Sequence, residues 1–508
     1  MKNYLVILGL CLAIAGTTQA QTVQDENQYE INQYGVRVRS IPLEATAQNG
    51  ILVLQNKEKR YKFWVDARVQ FDMANYHNLK NGNIALDNSA RNTFSGSNNL
   101  NGIIPYADGK PALPGGVSLR RVRLAIKTEI DDWYGEVDMN MANGVFELED
   151  AYIMYSGLKG FELRAGNFKE DFSMEQTTSS RYLTFMERAM VVSAFAPSRY
   201  LGLQANWIQF PWVRASAGVS WQEVSTWQQR NNIEEYNKDA RRIGANVTGK
   251  AVLMPWGAEE FKGLHFGYAV SRRSPYKVDD DVSTVGDGGS ARGYQTGMLS
   301  ARNSTAINRT KFLRAYEFGY VKHEFLQNFE LAGYKNGFRF QSEFMINNTV
   351  MDKSKPGYSR RGFSTFDVTN MNNKRFYGFY AQTSYLLFGG KQRYNTAESE
   401  FTQPRRGKSW GDIELMFRYD YLTLNSQGVT GGSGENYAFG VVFHANDNVK
   451  LSVNYQIARN DTHANDRGRA AIGRTENGDW TNDYRLASDK FHRGTGFNVI
   501  QARIEIAF

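Results

Sequence analysis

Cysteine is all but missing from these 508 residues; the single one is Cys11. It lies in a segment that reads as a leader, so a disulfide framework and a thiol-based metal or redox site are both excluded for the chain that follows. Proline is scarce, at 10, and no Gly/Ser or charge-run spacer interrupts the chain. The roughly three soluble domains that the length first suggests therefore lack linkers. No apolar run after residue 20 reaches the roughly 18 residues of a membrane helix. That leaves a strand-built membrane protein open, because a barrel strand turns only alternate residues to lipid. Heptads, helical repeats and low-complexity tracts are missing too. The six histidines, His77, His265, His323, His444, His463 and His492, show neither HExxH nor another ligand spacing, and none sits in a triad arrangement. Asp279 to Asp281 lacks the spacing of a calcium loop. Neither an enzyme, a metal nor a cofactor is expected.

Met1-Lys2-Asn3 is a short positive stretch, Leu5 to Gly16 is apolar, and Thr18-Gln19-Ala20 is a small-x-small cleavage site. Residues 1–20 thus read as a secretory signal peptide. The formal net charge is +8. Basic excess points to nucleic acid, an anionic surface or an anionic solute; export removes nucleic acid. Residues 21–59 are mostly polar and unpatterned and read as a periplasmic lead, with a short extra strand at Ile51–Gln55.

From residue 60 onward the chain is abundant in the 28 Tyr, 31 Phe and 47 Gly that suit strands and turns. The last stretch is the clearest. Ile500, Ala502, Ile504, Ile506 and Phe508 share one face of an extended strand, and Gln501, Arg503 and Glu505 share the other. The same period-2 pattern predicts about sixteen strands, near 61–72, 119–130, 133–141, 146–155, 161–168, 200–207, 213–221, 243–252, 264–272, 312–321, 338–347, 376–388, 413–422, 437–445, 449–457 and 497–508. The facing of 146–155 is ambiguous. Connections alternate long and short, as periplasmic turns and outer loops do in outer-membrane barrels. Two spoil the rhythm: Ala142–Gly144 is short where an outer loop is due, and Gly389–Ser409 is long where a turn is due. The fold class expected is all-β: a transmembrane antiparallel barrel over residues 60–508. Its C-terminal Phe508 would serve as the barrel-closure signal read by the barrel-assembly machinery, and outer-membrane lipids would surround it. Aromatic pairs such as Tyr61/Phe63, Tyr419/Tyr421 and Phe439/Phe443 fall on the lipid phase.

Charge falls on the other phase. Arg68, Arg121, Arg123, Lys127, Arg164, Arg339 and Arg418 point to the lumen, since each charge on the lipid side would cost roughly 2–4 kcal/mol near the midplane. Such residues offer sites to an anion and raise the barrier for a cation. Acids such as Asp66, Glu129, Glu136, Asp138, Glu343, Glu414 and Asp420 share that phase, so part of the basic set is expected to pair within the wall. Lys169 to Arg199 is long and unpatterned, mixes Lys169, Arg181 and Arg188 with Glu170, Asp171, Glu175 and Glu187, and carries the apolar run Ala189 to Ala196. Folding into the lumen would bury that run, with Lys169, Arg181 and Arg188 in the ion path.

Three blocks carry a resemblance. They are ELEDAYIMYSG followed by FELRAGNFKEDFSMEQTTSSRYLTFMER and AFAPSR (Glu147 to Arg199), YGFYAQTSYLLFGGKQRYN followed by GDIELMFRYDYL (Tyr377 to Leu422), and the closing NVIQARIEIAF. In this order they resemble the phosphate-selective porin O and P family. The resemblance implies a sixteen-stranded barrel of the bacterial outer membrane, a homotrimer, an inward-folded third loop and a lumen passing inorganic phosphate or other small anions. The function expected is passive diffusion of small anions. A general diffusion or oligosaccharide porin, and a non-conducting surface or adhesive barrel, stand as alternatives.

Overall fold

A computed structural model of the chain describes residues 29–31, 33–35, 37–39, 41–80, 104–105, 111–113, 115–144, 146–221, 224, 244–257, 259–274, 299–315, 321–353, 372–427, 429–461, 464, 473–474, 476–477, 480–481 and 496–508. Sixteen antiparallel strands form a closed barrel: β1 Tyr61–Lys80, β2 Gly116–Ile130, β3 Trp133–Asn140, β4 Glu147–Leu158, β5 Phe161–Lys169, β6 Arg199–Phe210, β7 Val213–Ser220, β8 Asn246–Leu253, β9 Lys262–Arg273, β10 Val321–Lys335, β11 Phe338–Met351, β12 Lys374–Leu386, β13 Asp412–Ser426, β14 Val429–His444, β15 Val449–Asn460 and β16 Gly496–Ala507. Each pairs with its neighbour in the chain, and β16 pairs with β1. Phe508 completes that seam: its N–H donates to the Ala67 carbonyl at 2.9 Å, and Ala67 N–H donates back at 2.6 Å. β1 outreaches β16 at this end. Its leftover edge, Lys62 to Trp64, is taken by Ile51–Gln55, itself paired with Glu44–Gln48. An unpaired edge is thereby covered.

Burial inverts the arrangement of a soluble sandwich. Along β16, Ile500, Ile504 and Ile506 are exposed while Gln501, Arg503 and Glu505 are buried; Ile504 is 42% exposed and Arg503 3%. Apolar side chains face outward all round, including Phe63, Tyr377, Phe439 and Trp133. An apolar exterior and a polar interior suit hydrocarbon outside and water inside.

All but one of the expected strands coincide with a barrel strand. The exception is 312–321, which is corrected. Leu313–Ala315 pairs with Leu299–Ala301 in a two-stranded sheet apart from the barrel ladder, and the membrane strand begins at Val321. Both irregular connections are real. Ala142–Gly144 is one 3-10 turn between β3 and β4, and residues 387–411 are a long link between β12 and β13 at the end where the short turns gather. The ambiguous facing of 146–155 has a cause: the β3–β4 register shifts between Leu148 and Ala151, so no single alternation spans it. The leader with Cys11, Asp279 to Asp281, His463 and His492 lie outside the described residues.

The barrel is not hollow. From the end of β5, residues 170–198 turn into the lumen with two short helices, α1 Met174–Thr177 and α2 Met190–Phe195. Met190, Val191, Val192 and Phe195 are buried in one cluster with Phe172, Leu299, Leu313, Met345, Phe376, Leu422, Leu424 and Val499. Full burial of each large apolar side chain stabilises by about 1.5–3 kcal/mol, so the run needs this core and fills the lumen beside β10–β16. From the opposite end, Tyr394–Asn395 pairs with Glu400–Phe401. Phe401 and Tyr394 pack with Met174, Ala332 and Tyr334. The two inserted segments meet inside the barrel.

Candidate functional site

The inserted loop is gripped by the wall along β10–β16. Loop N–H groups donate to wall carboxylates: Met174 to Glu330 at 2.7 Å, Glu175 to Glu343 at 2.8 Å and Met190 to Asp420 at 2.8 Å. Wall cations donate to loop carbonyls: Arg418 to Glu187 at 2.9 Å, Arg503 to Met186 at 2.7 Å and Lys450 to Arg181 at 2.7 Å. Bonds to a charged partner are worth about 1.5–3 kcal/mol each, so the loop is a fixed part of the lumen.

Glu187 anchors one side of it. Arg120 grips its carboxylate with two bonds, at 2.7 and 3.0 Å, and Arg503 adds a third at 3.1 Å. Those guanidiniums hold the Glu187 carboxyl well below the usual range against the opposing effect of burial. Arg120 is absent from the residues expected in the lumen. A bulge opposite Gln70 and Phe71 inserts it as an extra residue, so Arg120 and Arg121 both face inward, where strict alternation sends one of them to lipid. Nothing short of the bulge geometry reveals it.

Between the loop and the wall of β1–β7 a cavity of about 270 Å³ remains. Asp66 and Arg68 of β1 line it, with Arg123 and Lys127 of β2, Tyr134, Glu136 and Asp138 of β3, and Asp150 and Tyr152 of β4. Arg164, Phe168 and Lys169 come from β5, Gln204 and Arg199 from β6 and Arg214 from β7. The loop adds Asp171, and the inserted turn adds Glu398 and Glu400. Seven cations and seven carboxylates thus line one space. Arg68 pairs with Asp66 at 3.9 Å, Lys127 with Glu136 at 3.3 Å, Arg199 with Asp150 at 2.7 Å, Arg123 with Asp138 and, at 3.8 Å, with Asp150, and Arg214 with Asp171; the loosest pair is Arg164 with Glu398 at 4.0 Å.

Of the expected ion-path residues, Arg68, Arg123, Lys127, Arg164 and Lys169 come together here. The others lie elsewhere and hold the loop or the wall. Arg121 donates to Gln70 at 2.8 Å. Arg339 donates to Thr184 at 2.7 Å, and Arg418 stacks over Phe185 at 4.6 Å. Arg188 donates to three carbonyls of its own loop, those of Glu175, Gln176 and Thr178. Arg181 donates to the carbonyls of Asn49 and Asp447 at 2.9 and 2.8 Å. Asp447 belongs to the short turn between β14 and β15, so the loop crosses most of the barrel's height.

Two cations of the cavity differ from the rest. Arg164 lies over the Tyr152 and Phe168 rings, at 4.7 and 5.5 Å, and its nearest carboxylate among the described residues is Glu398 at 4.0 Å. Lys169 donates to the Thr177 carbonyl at 2.9 Å and has no carboxylate within 4 Å among the described residues. Glu400, on the inserted turn, is pushed up to about 7 by burial, with Glu398 adding to the rise and Lys169 opposing it. Oxygens of Glu136, Asp138 and Asp150 lie within 4.8 Å of one another, but Lys127, Arg123 and Arg199 already neutralise them, so no metal is assigned there.

A closed antiparallel barrel with an apolar outside, a charged inside and an inward-folded loop after its fifth strand defines an outer-membrane porin. Sequence comparison makes it more particular. A family model described as phosphate-selective porin O and P matches residues 114–477, more than half of the chain. The protein therefore belongs to the phosphate-selective porin O and P family, and its place is the bacterial outer membrane. It is 23% identical over 438 residues to Porin O of Pseudomonas aeruginosa, covering 82% of this chain and 88% of that one. It is 24% identical over 344 residues to an uncharacterised protein of Caulobacter vibrioides, covering 67% of this chain and 62% of that relative's length. Among solved structures, an anion-selective porin from Comamonas acidovorans aligns with a TM-score of 0.47 and 9% identity, over 88% of this chain and all (100%) of that one. The outer-membrane channel DcaP of Acinetobacter baumannii aligns with a TM-score of 0.47 and 10% identity, over 89% and 99%.

Proposed function

We propose that the protein is a passive channel for small anions, phosphate and related oxyanions among them, with the cavity along β1–β7 as the solute path. One observation carries the reading. Arg164 and Lys169 face that space without a carboxylate in hydrogen-bonding range among the described residues, so an anion can draw on both while loosening no more than the 4.0 Å pair of Arg164 with Glu398. Planar guanidinium and ammonium donors match oxyanion geometry. The lining as a whole holds as many acids as bases, which supports mild selectivity and favours general diffusion as the second reading. No catalytic role is proposed.

The remaining expectations stand with it as proposals. Residues 1–20 would be cleaved, 21–59 would lie in the periplasm, the barrel-assembly machinery would read the Phe508 end, and the channel would work as a homotrimer. Bilayer recordings in a KCl gradient test the reading. The expected result is a reversal potential on the anion side, with chloride current reduced by added phosphate. Cation preference would overturn it. Anion preference without a phosphate effect would leave general diffusion in its place.

A further inference from the structure

The cavity is balanced in number but not in arrangement. After the closer ion pairs, those at 3.9 Å or less, are drawn, two cations and two carboxylates remain: Arg164 and Lys169 on β5, Glu398 and Glu400 on the inserted turn. The two groups belong to different parts of the fold. Arg164 and Lys169 sit on β5, Arg164 steadied by two aromatic rings and Lys169 by the Thr177 carbonyl. Glu398 and Glu400 sit on the inserted turn. That turn is fixed by the pairing of Tyr394–Asn395 with Glu400–Phe401. Arg214 also holds it, donating to the Ala397 carbonyl at 2.6 Å. Only Arg164 and Glu398 approach each other, and at 4.0 Å they stand beyond ordinary hydrogen-bond length.

Resting on the reading of this cavity as the solute path, we propose that it takes small zwitterions, solutes that carry an anionic group and an ammonium group together. A plain anion drawn to Arg164 and Lys169 is opposed by Glu398 and Glu400, and a plain cation meets the reverse. A solute bearing both groups complements both poles, and charge complementarity of that kind sets specificity by penalising the wrong partner as much as by attracting the right one. The space is adequate: at roughly 30 Å³ per water, about 270 Å³ holds an amino-acid-sized solute with part of its hydration shell.

The test compares glycine with glycolamide, its uncharged isomer, at equal concentration on both sides of a bilayer carrying chloride current at pH 8, where glycine is still a zwitterion. Glycine is expected to lower the current of the native channel by about twofold more than glycolamide does, as an occupied pore site should. Equal effects of the two isomers on the native channel overturn the inference without any variant. In Glu398→Gln/Glu400→Gln, the glycine effect should fall to that of glycolamide while chloride current rises; an undiminished glycine effect also overturns it. Arg164→Gln/Lys169→Gln separates the two levels of the argument. An unchanged reversal potential there overturns the path reading and this inference with it. A shifted reversal potential there, with glycine and glycolamide acting alike on the native channel, overturns the zwitterion alone.

Discussion

Neutralising Arg164 and Lys169 together, as Arg164→Gln/Lys169→Gln, is the sharpest perturbation of the path. The lining then goes from seven cations and seven carboxylates to an excess of two carboxylates. A monovalent ion about 6 Å from such a site, at an effective dielectric constant of about 60, feels about 1 kcal/mol per unit charge. Two charges amount to about 2 kcal/mol, raised for an anion and lowered for a cation. Screening with a Debye length of about 10 Å at 0.1 M salt removes roughly half. About 1 kcal/mol then acts on each ion with opposite sign, and the anion-to-cation permeability ratio should fall by at least about tenfold.

The assay is the reversal potential of purified channel in a KCl gradient, with heat-modifiable electrophoretic mobility showing that the barrel has formed. Arg188→Gln is the matched control. Arg188 also lies in the inserted loop, but its guanidinium is spent on three loop carbonyls, so its loss should raise current noise and leave the reversal potential nearly in place. An unmoved reversal potential in the double variant would refute the assignment of the path. So would an equal shift from Arg188→Gln.

Glu187→Gln removes the charge that Arg120 and Arg503 share; breaking a buried pair costs about 3–5 kcal/mol, so open-channel noise and conductance should both rise, and unchanged recordings would show that the anchor is redundant. Deleting Phe508 removes both hydrogen bonds to Ala67 and should lower the amount of heat-modifiable barrel in the outer membrane; a normal yield would count against the closure role. Glu400, with its pKa pushed up to about 7, gains its proton as pH falls from 8 to 6. The cavity then loses a negative charge, so anion preference should grow over that window in the native channel, and a Glu400→Gln channel that keeps the same pH dependence would exclude Glu400 as the cause.

Much of the barrel is legible in the chain because lipid imposes a simple rule. Outward positions must be apolar, and β16 obeys it at every second residue from Ile500 to Ile506. The site is less legible, for two physical reasons. A bulge adds one residue and flips the phase, which hides Arg120 and blurs the start of β4. Arginine also serves carbonyls as well as carboxylates. Arg181 and Arg188 are spent on main-chain oxygens, and main-chain partners leave no trace in residue types.

The misplaced strand at 312–321 follows from a further rule, which also bears on where the cavity lies. Alternation marks a barrel strand only where the lumen face is polar. Where the apolar run of an inserted segment docks, the lumen face carries apolar residues as well. Leu326 and Ala332 on β10, Met345 on β11, Phe376 on β12 and Leu422 on β13 are all buried lumen-side residues packed against inserted segments, and β10 accordingly reads poorly as an alternating strand. On β1 to β5 the lumen face keeps Asp66, Arg68, Arg123, Lys127, Glu136, Asp138 and Arg164, and alternation there is clean apart from the bulges. The strand that alternation misses, β10, is thus one covered by the plug, and β1 to β5 line the space the plug leaves open. The charged wall of β1 to β5 that the plug leaves uncovered can be solvated only by water or by the solute that replaces it.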